Sequence, residues 1–456
     1  MSTFGDALLG GTFGDASGTF ADEGAGATWP SWTIELSLEV GPLETPTSWE
    51  VIDDYVAAFT IVRGRSGELG QYQPGTLALE LDDPARHLDP ENTASPFWPQ
   101  IASPNRRVRV RAEWDSVTYQ LFDGYLDDHD RAPLEYSTSH EYARIDLTAT
   151  DAFKLLAERE MKPARPFTVG DPQLGVLDDP SIAIGGGALE FPEQRTGQRI
   201  KRALELLGWP ANLLDIDEGL TLVLADQPTD DALTYLQRLA RDEYGDLFVS
   251  ELGLVTFRER RHWTRNSRAT TSTATYSDDV TELAGGASPY TRLKLQPASG
   301  AQLRNIVRRA RDDGFEVTKT DLASVTNNGA REDSVTDSLV ASKAELADQA
   351  SYVLERFHEP QTWIDTLELA YDPDPDTLWP LMLATTYYDR VTAQRSPVTG
   401  TPIDHEAWVC GLRWQVTAAD RTATLELTLQ AVEVANYFTI GHSTLGKLDH
   451  IATLPY

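Results

Sequence analysis

The sequence predicts a mainly β protein with an α+β insertion: two related β-barrels, a small α/β module between them, and extended N- and C-terminal arms. Three observations predict it. The segment from Phe167 to Asp178 returns from Phe438 to Asp449 with seven of twelve residues identical. Shorter landmarks recur in the same order: Leu79-Glu80-Leu81 with Leu367-Glu368-Leu369, Phe97-Trp98-Pro99 with Leu378-Trp379-Pro380, Arg107-Val108 with Arg390-Val391, Gly124 with Gly411, and Ile145-Asp146-Leu147-Thr148 with Leu425-Glu426-Leu427-Thr428. Landmarks in register point to a diverged internal duplication. Between the copies the apolar period changes from two to between three and four, marking an inserted helical module.

The first thirty residues repeat a short word: Thr3-Phe4-Gly5-Asp6-Ala7, then Thr12-Phe13-Gly14-Asp15-Ala16, then the degraded Thr19-Phe20-Ala21-Asp22. Glycine at this density costs too much backbone entropy for an independent fold, so residues 1–30 are expected to be a flexible arm. The first barrel is placed at 31–162. Ile34, Leu36, Leu38 and Val40 alternate onto one face, and runs around 59–63, 76–81, 107–111, 119–122 and 144–148 follow, separated by Gly, Pro and Asp turns. Residues 163–192 read as a proline- and glycine-rich linker carrying the first repeated segment.

The module is placed at 193–262. Thr196 is expected to cap a helix whose inner face is Ile200, Ala203, Leu204 and Leu207, stopped by Gly208 and Pro210. Thr229 or Asp230 caps a second helix with Leu233, Leu236, Leu239 and Ala240 inward, and residues 247–257 form a hairpin turning at 251–253. A Ser/Thr-rich connector at 263–289 leads to the second barrel at 290–435, with strands at 292–295, 306–309, 366–369, 390–393, 407–412 and 422–429 and a helix at 342–358. The stripe Leu346, Ala350, Val353, Leu354 and Phe357 on that helix reads as core packing. Residues 436–456 are the C-terminal arm.

Composition narrows the function. Against 39 Lys and Arg stand 71 Asp and Glu, a net charge of −32. Nonspecific nucleic-acid binding needs cationic side chains to displace phosphate counterions, so this surface repels DNA. Acidic residues such as Asp82, Asp83, Asp127, Asp128 and Asp130 are expected to be ordinary solvated surface. No run of eighteen apolar residues and no basic start followed by a greasy stretch is present, so neither a membrane span nor a secretory signal is expected. One cysteine excludes an intrachain disulfide; Cys410, beside Trp408 and Val409 in a strand-like run, reads as a buried small hydrophobe.

Catalytic patterns are missing where their mechanics would need them. His140-Glu141 and His405-Glu406 each lack the second histidine of a zinc site one helical turn on. Gly441-His442-Ser443-Thr444-Leu445-Gly446 has the wrong glycine spacing for a strained nucleophile turn, and Pro172 replaces Ser443 in its twin. Asp372, Asp374 and Asp376 alternate carboxylates without the glycine turn and distal glutamate of a calcium loop. The expectation is no enzyme, no metal and no cofactor.

Several stretches resemble minor tail proteins of long-tailed phages of actinobacteria: Phe59 to Ser66, Gln73-Pro74-Gly75-Thr76-Leu77, Asp89 to Pro99, and Phe122-Asp123-Gly124-Tyr125. Residues 232–257 resemble the inserted module of baseplate hub proteins. The resemblance implies tail-tube or hub-like barrels and a structural virion protein at the tail tip, assembled in the host cytoplasm. It implies a homotrimer in which two related barrels per chain present six similar units, so that a sixfold tail meets a threefold tip. Implied partners are the distal tail protein, the tape measure protein and other tail-tip proteins, with DNA passing through unbound and no membrane insertion of its own. Candidate partner-binding residues are the isolated aromatics Phe4, Phe13 and Phe20 of the first arm and Tyr456 of the last. Phe167, Leu174 and Leu177, with their repeats Phe438, Leu445 and Leu448, complete the set. The alternatives are a hexameric distal tail protein, which needs only one tube-like barrel, and a tail-associated carbohydrate-binding or hydrolytic receptor protein, for which 11 Trp and 16 Tyr could supply stacking surfaces.

Overall fold

The computed structural model describes residues 29–46, 48–65, 70–89, 91–127, 135–136, 143–161, 184–185, 188–189, 191–297, 302–360, 362–370, 375–418 and 420–432. The first half contributes strands β1 (Ser31–Ser37), β2 (Glu50–Val51), β3 (Val56–Gly64), β4 (Gln73–Asp82), β5 (Arg107–Trp114), β6 (Val117–Leu126), β7 (Glu135–Tyr136) and β8 (Ala143–Thr150), closed by helix α1 (Phe153–Ala157). After two short strands, β9 (Ile184–Gly185) and β10 (Ala188–Leu189), the module runs through β11 (Gln194–Arg195), α2 (Thr196–Leu206), β12 (Leu214–Ile216), β13 (Leu222–Val223), α3 (Ala232–Glu243), β14 (Asp246–Val249) and β15 (Val255–Arg258). The second half follows with α4 (His262–Arg265), α5 (Ser267–Thr270), β16 (Ser272–Tyr276), α6 (Val280–Ala284), β17 (Arg292–Gln296), β18 (Ile306–Ala310), β19 (Glu316–Thr320), α7 (Leu322–Asn328), β20 (Glu332–Val335), α8 (Lys343–Phe357), β21 (Trp363–Ala370), α9 (Pro375–Ala384), β22 (Arg390–Arg395), β23 (Ile403–Thr417) and β24 (Thr422–Ala431).

Both halves lay their strands down along the same path. Hydrogen-bonded order in the first is β3-β4-β8-β6-β5-β1, and in the second β17-β21-β24-β23-β22-β16. The register agrees at the centre: Leu79 faces Leu147 and Leu81 faces Ile145, as Leu367 faces Leu427 and Leu369 faces Leu425. These eight alternating apolar residues are all buried, since a strand pair with one covered face must point every second side chain inward.

Divergence enters at the periphery. β1 runs antiparallel to β5, whereas β16 runs parallel to β22. The span 263–289, read from its Ser/Thr content as a connector, thus supplies a sheet strand, β16. Gly124 and Gly411 are not structural counterparts: Arg107 faces Tyr125 and Arg390 faces Trp408, so the place of Gly124 falls at Ala407. The tryptophans also part company, Trp98 being 43% exposed while Trp379 is buried inside α9, a helix the periodicity did not announce. A third difference is an insertion between β17 and β21. Residues 306–309, expected as a strand of the second barrel, instead form with β19 and β20 a separate three-stranded sheet under α8.

The halves join directly. The N-terminal part of β23 pairs with β22, and the C-terminal part of the same edge pairs with β3, from Thr417 opposite Ala58 to Gly411 opposite Gly64. One apolar core continues across this seam. Trp32 packs on Phe59 at 5.4 Å and on Trp414 of the other half at 5.9 Å, while Trp29 meets Trp379 at 5.5 Å. Edge-on aromatic pairs add about 0.5–1.5 kcal/mol each beyond their buried area.

The module follows its sequence pattern closely. Ile200, Ala203, Leu204, Leu236 and Leu239 are completely buried. The caps shift by one residue: Arg195 precedes α2, with Thr196 its first helical residue, and Asp231 caps α3 by accepting the Thr234 N–H at 2.9 Å. Cys410 is fully buried in β23, as its neighbours suggested.

Candidate functional site

The predicted contact residues Phe4, Phe13, Phe20, Phe167, Leu174, Leu177, Phe438, Leu445, Leu448 and Tyr456 all lie outside the described residues, as do Asp128, Asp130, Asp372 and Asp374. What the structure does bring together is a polar junction where the module's hairpin meets both halves of the sheet. Sequence periodicity offered no sign of it beyond arginines at odd places in apolar strands.

Two buried arginines, Arg63 and Arg65, flank Gly64 at the end of β3. Arg63 donates to the Leu121 carbonyl at 3.3 Å, the Val249 carbonyl at 3.1 Å and Glu251 Oε2 at 3.3 Å. Arg65 donates to Asp246 Oδ1 at 2.5 Å and to Gln430 Oε1 at 2.9 Å, linking the first half to the module and to β24. Asp246 Oδ2 also accepts from Trp263 Nε1 at 3.0 Å and from the Tyr388 hydroxyl at 3.1 Å. Burial is the largest single effect on the Arg65 guanidinium and pulls it down, but the Asp246 carboxylate together with Tyr72, Cys410 and Tyr388 outweighs it and raises it above its ordinary value. Burial and Asp246 likewise push the Tyr388 hydroxyl well up, so it remains a donor.

The hairpin tip is stapled on two sides. Gln120 Nε2 donates to the Glu251 carbonyl at 3.0 Å, and Thr386 Oγ1 of the second half donates to Glu251 Oε2 at 3.2 Å. Gly253, at φ +76°, sits over the buried Arg107–Asp123 pair, where a Cβ would lie 2.9 Å from Asp123 Oδ1. Arg107 grips Asp123 with two bonds, of 2.6 and 3.1 Å. Burial nevertheless pushes the Asp123 carboxyl up to about 6. Asp151, buried beside the same junction, accepts the Gly75 N–H at 2.6 Å and the Phe153 N–H at 2.9 Å, and burial raises it to about 7.

On its far side the module is tied to the second-half insertion. Asp242 accepts the Leu339 N–H at 2.6 Å and is raised by burial to about 6; Gln349 donates to its carbonyl at 2.8 Å, and Arg260 pairs with Glu345 at 2.8 Å. A cavity of about 150 Å³ lies between them, lined by Arg65, Tyr72, Arg241, Tyr244 and Arg309 among others. Its arginines are matched by Asp246, Asp242, Asp337 and Asp333. A groove of about 330 Å³ runs along the seam past Tyr119, Leu252, Arg268 and Trp414. Among the described residues no three His, Cys, Asp or Glu side chains converge as a metal site.

The individual acids divide: Asp82 is exposed, as expected, whereas Asp83 and Asp127 are tied into the fold. Asp83 is buried and builds a turn by accepting the Leu88 N–H at 2.6 Å, and Asp127 pairs with Lys154 at 3.3 Å. Glu35, on the strand face expected to meet solvent, is forked by Arg109 and Arg111 at 2.7 and 2.8 Å. Burial raises its carboxyl, and the two arginines reverse that to a net lowering.

With this architecture in view, two solved structures are similar over nearly their whole length. A tail protein from Neisseria meningitidis MC58 superposes with a TM-score of 0.52 at 11% identity, covering 88% of this chain and 96% of its own. The 43 kDa tail protein of prophage MuSo2 from Shewanella oneidensis gives 0.50 at 14% identity, covering 87% and 97%. This chain has the tail-protein fold. No protein-family model matches the sequence, and no curated protein matches it either. The mainly β tail-protein architecture therefore rests on strand path and shape, where amino-acid identity is slight.

Proposed function

We propose that the chain is a structural, non-enzymatic protein of a long-tailed phage: a baseplate or tail-tip hub that forms a ring around the DNA exit channel. Three copies, each with two similar halves, would present six equivalent units and so join a sixfold tail to a threefold tip. The observation that carries this reading is the repeated strand path, β3-β4-β8-β6-β5 matched by β17-β21-β24-β23-β22, with the same leucine register at its centre. A hexameric distal tail ring has no need of a second copy of the path within each chain.

The junction supports the same reading. A hub must hold its two units at a fixed angle, and here main-chain pairing, a shared aromatic core and the stapled hairpin tip all cross the seam. The net charge of −32 suits a wall along which DNA slides without being gripped. In this reading, which the motif resemblance supports, the virus is a siphophage of actinobacteria and the distal tail and tape measure proteins are the neighbours in the virion tail tip. Native mass measurement of the purified chain tests this: a three-copy assembly is expected, and a six-copy ring overturns the hub in favour of the distal tail reading.

A further inference from the structure

The two halves differ in one consequential way at their edge strands. β3 and β17 hold the same place in the repeated path, with Leu293 facing Leu367 as Phe59 faces Leu79. β3 has a neighbour on each side: β4 on one, and on the other β23, in seven consecutive pairs. Among the described residues β17 pairs with β21 alone. One edge of its main chain therefore presents N–H and C=O groups without a strand partner among the described residues.

The side chains of β17 are already placed. Leu293 and Leu295 pack against the shared core, Arg292 pairs with Glu368 at 2.7 Å, and Lys294 pairs with Asp365 at 2.6 Å. What remains to be satisfied is backbone, and an open strand edge is a template for another strand. The register slips between Lys294 and Leu295 on the β21 side. Such a slip does not spoil the opposite edge, because β3 carries two against β4 and still offers β23 an unbroken register.

In a chain built twice, the contact that the edge strand of the first half makes with the second half has a second instance, between the edge strand of the second half and a first half. Among the described residues β17 does not make that contact within its own chain. We propose that the open edge of Arg292–Gln296 joins the first half of a second copy of this chain, main chain to main chain, repeating between molecules the junction that β3 and β23 make within one. The inference rests on the ring reading above. Such a contact uses different surfaces on its two sides, so it runs head to tail, the kind of joint from which a closed ring is built when the rotation between copies divides the circle evenly.

Hydrogen exchange on the full-length chain, compared between dilute monomer and assembled protein, tests it. Amides of residues 292–296 that point away from β21 are expected to exchange at least about tenfold more slowly in the assembly. If rings form and exchange over 292–296 is unchanged, the edge is not the joint, and the ring reading survives without it. A chain that stays monomeric at every concentration overturns both.

Discussion

Replacing Gly64 by alanine strikes the seam where the two halves touch backbone to backbone. Gly64 has φ +130°, and an added Cβ would lie 2.3 Å from Gly411 Cα and 2.5 Å from the Cys410 carbonyl oxygen. Carbon atoms rest at roughly 3.5–4.0 Å, so the strands must separate by more than an ångström at that point. No flexible side chain can give way, because both obstacles are main chain. A non-glycine residue held in such a conformation costs about 1–3 kcal/mol, and overpacking typically adds about 1–3 kcal/mol. The expected loss is therefore about 2–6 kcal/mol. Urea unfolding followed by tryptophan fluorescence reads it directly, since Trp32, Trp379 and Trp414 cluster across the seam. Gly411→Ala is the control: its Cβ would come no nearer than 3.0 Å to the Thr428 side chain and 3.4 Å to the Arg63 carbonyl oxygen, so a shift of a few tenths of an ångström relieves it and it should cost clearly less. An unchanged midpoint for Gly64→Ala, or a larger loss for Gly411→Ala, would refute the reasoning.

Other consequences are equally open to measurement. Asp123, Asp151 and Asp242 are raised by burial to about 6, 7 and 6, so the folded chain holds their protons to higher pH than the unfolded chain does, and stability should fall as pH rises from about 4 to 7. His262, lowered by burial and by Arg258, acts the other way, but one histidine is outweighed by three carboxyls; a Tm that drops steadily between pH 7 and 5 would contradict this balance. Arg107→Ala leaves Asp123 buried without its partner and should cost about 3–5 kcal/mol in chemical denaturation, with Arg107→Ala/Asp123→Ala recovering part of the loss. Leu79→Ala and Leu367→Ala occupy matched buried sites, and each should cost about 2–5 kcal/mol; a silent change at either position would show that the halves do not share one packing plan. Deleting residues 1–28 should impair tip assembly while leaving the unfolding transition of the body in place, and normal virions from that deletion would remove the arm's role.

The core of the duplication was legible because buried strands enforce a period of two. Leu79, Leu81, Ile145 and Leu147 cannot slip by one position without turning to solvent, and neither can their counterparts. Helices α2, α3 and α8 were legible for the analogous reason at a longer period, and Ser342 caps α8 at Glu345 N as its type suggests. Short-range likeness misled elsewhere. Gly124 and Gly411 share a residue type but not a place, and Trp98 and Trp379 share a tripeptide but not an environment. α9 stayed hidden because Pro380 sits within it and its faces are not segregated. The junction could not be read at all. Arg65 meets Asp246, and Arg63 meets Glu251, only after the chain has returned from the module, and no local pattern records so distant a partner.

One strand path written twice in a chain would let a threefold ring imitate a sixfold one. An electron-microscope projection of the assembled protein down its axis tests it most directly. Three copies arranged as six similar lobes are predicted; six copies with one lobe each, or three lobes without subdivision, would contradict it.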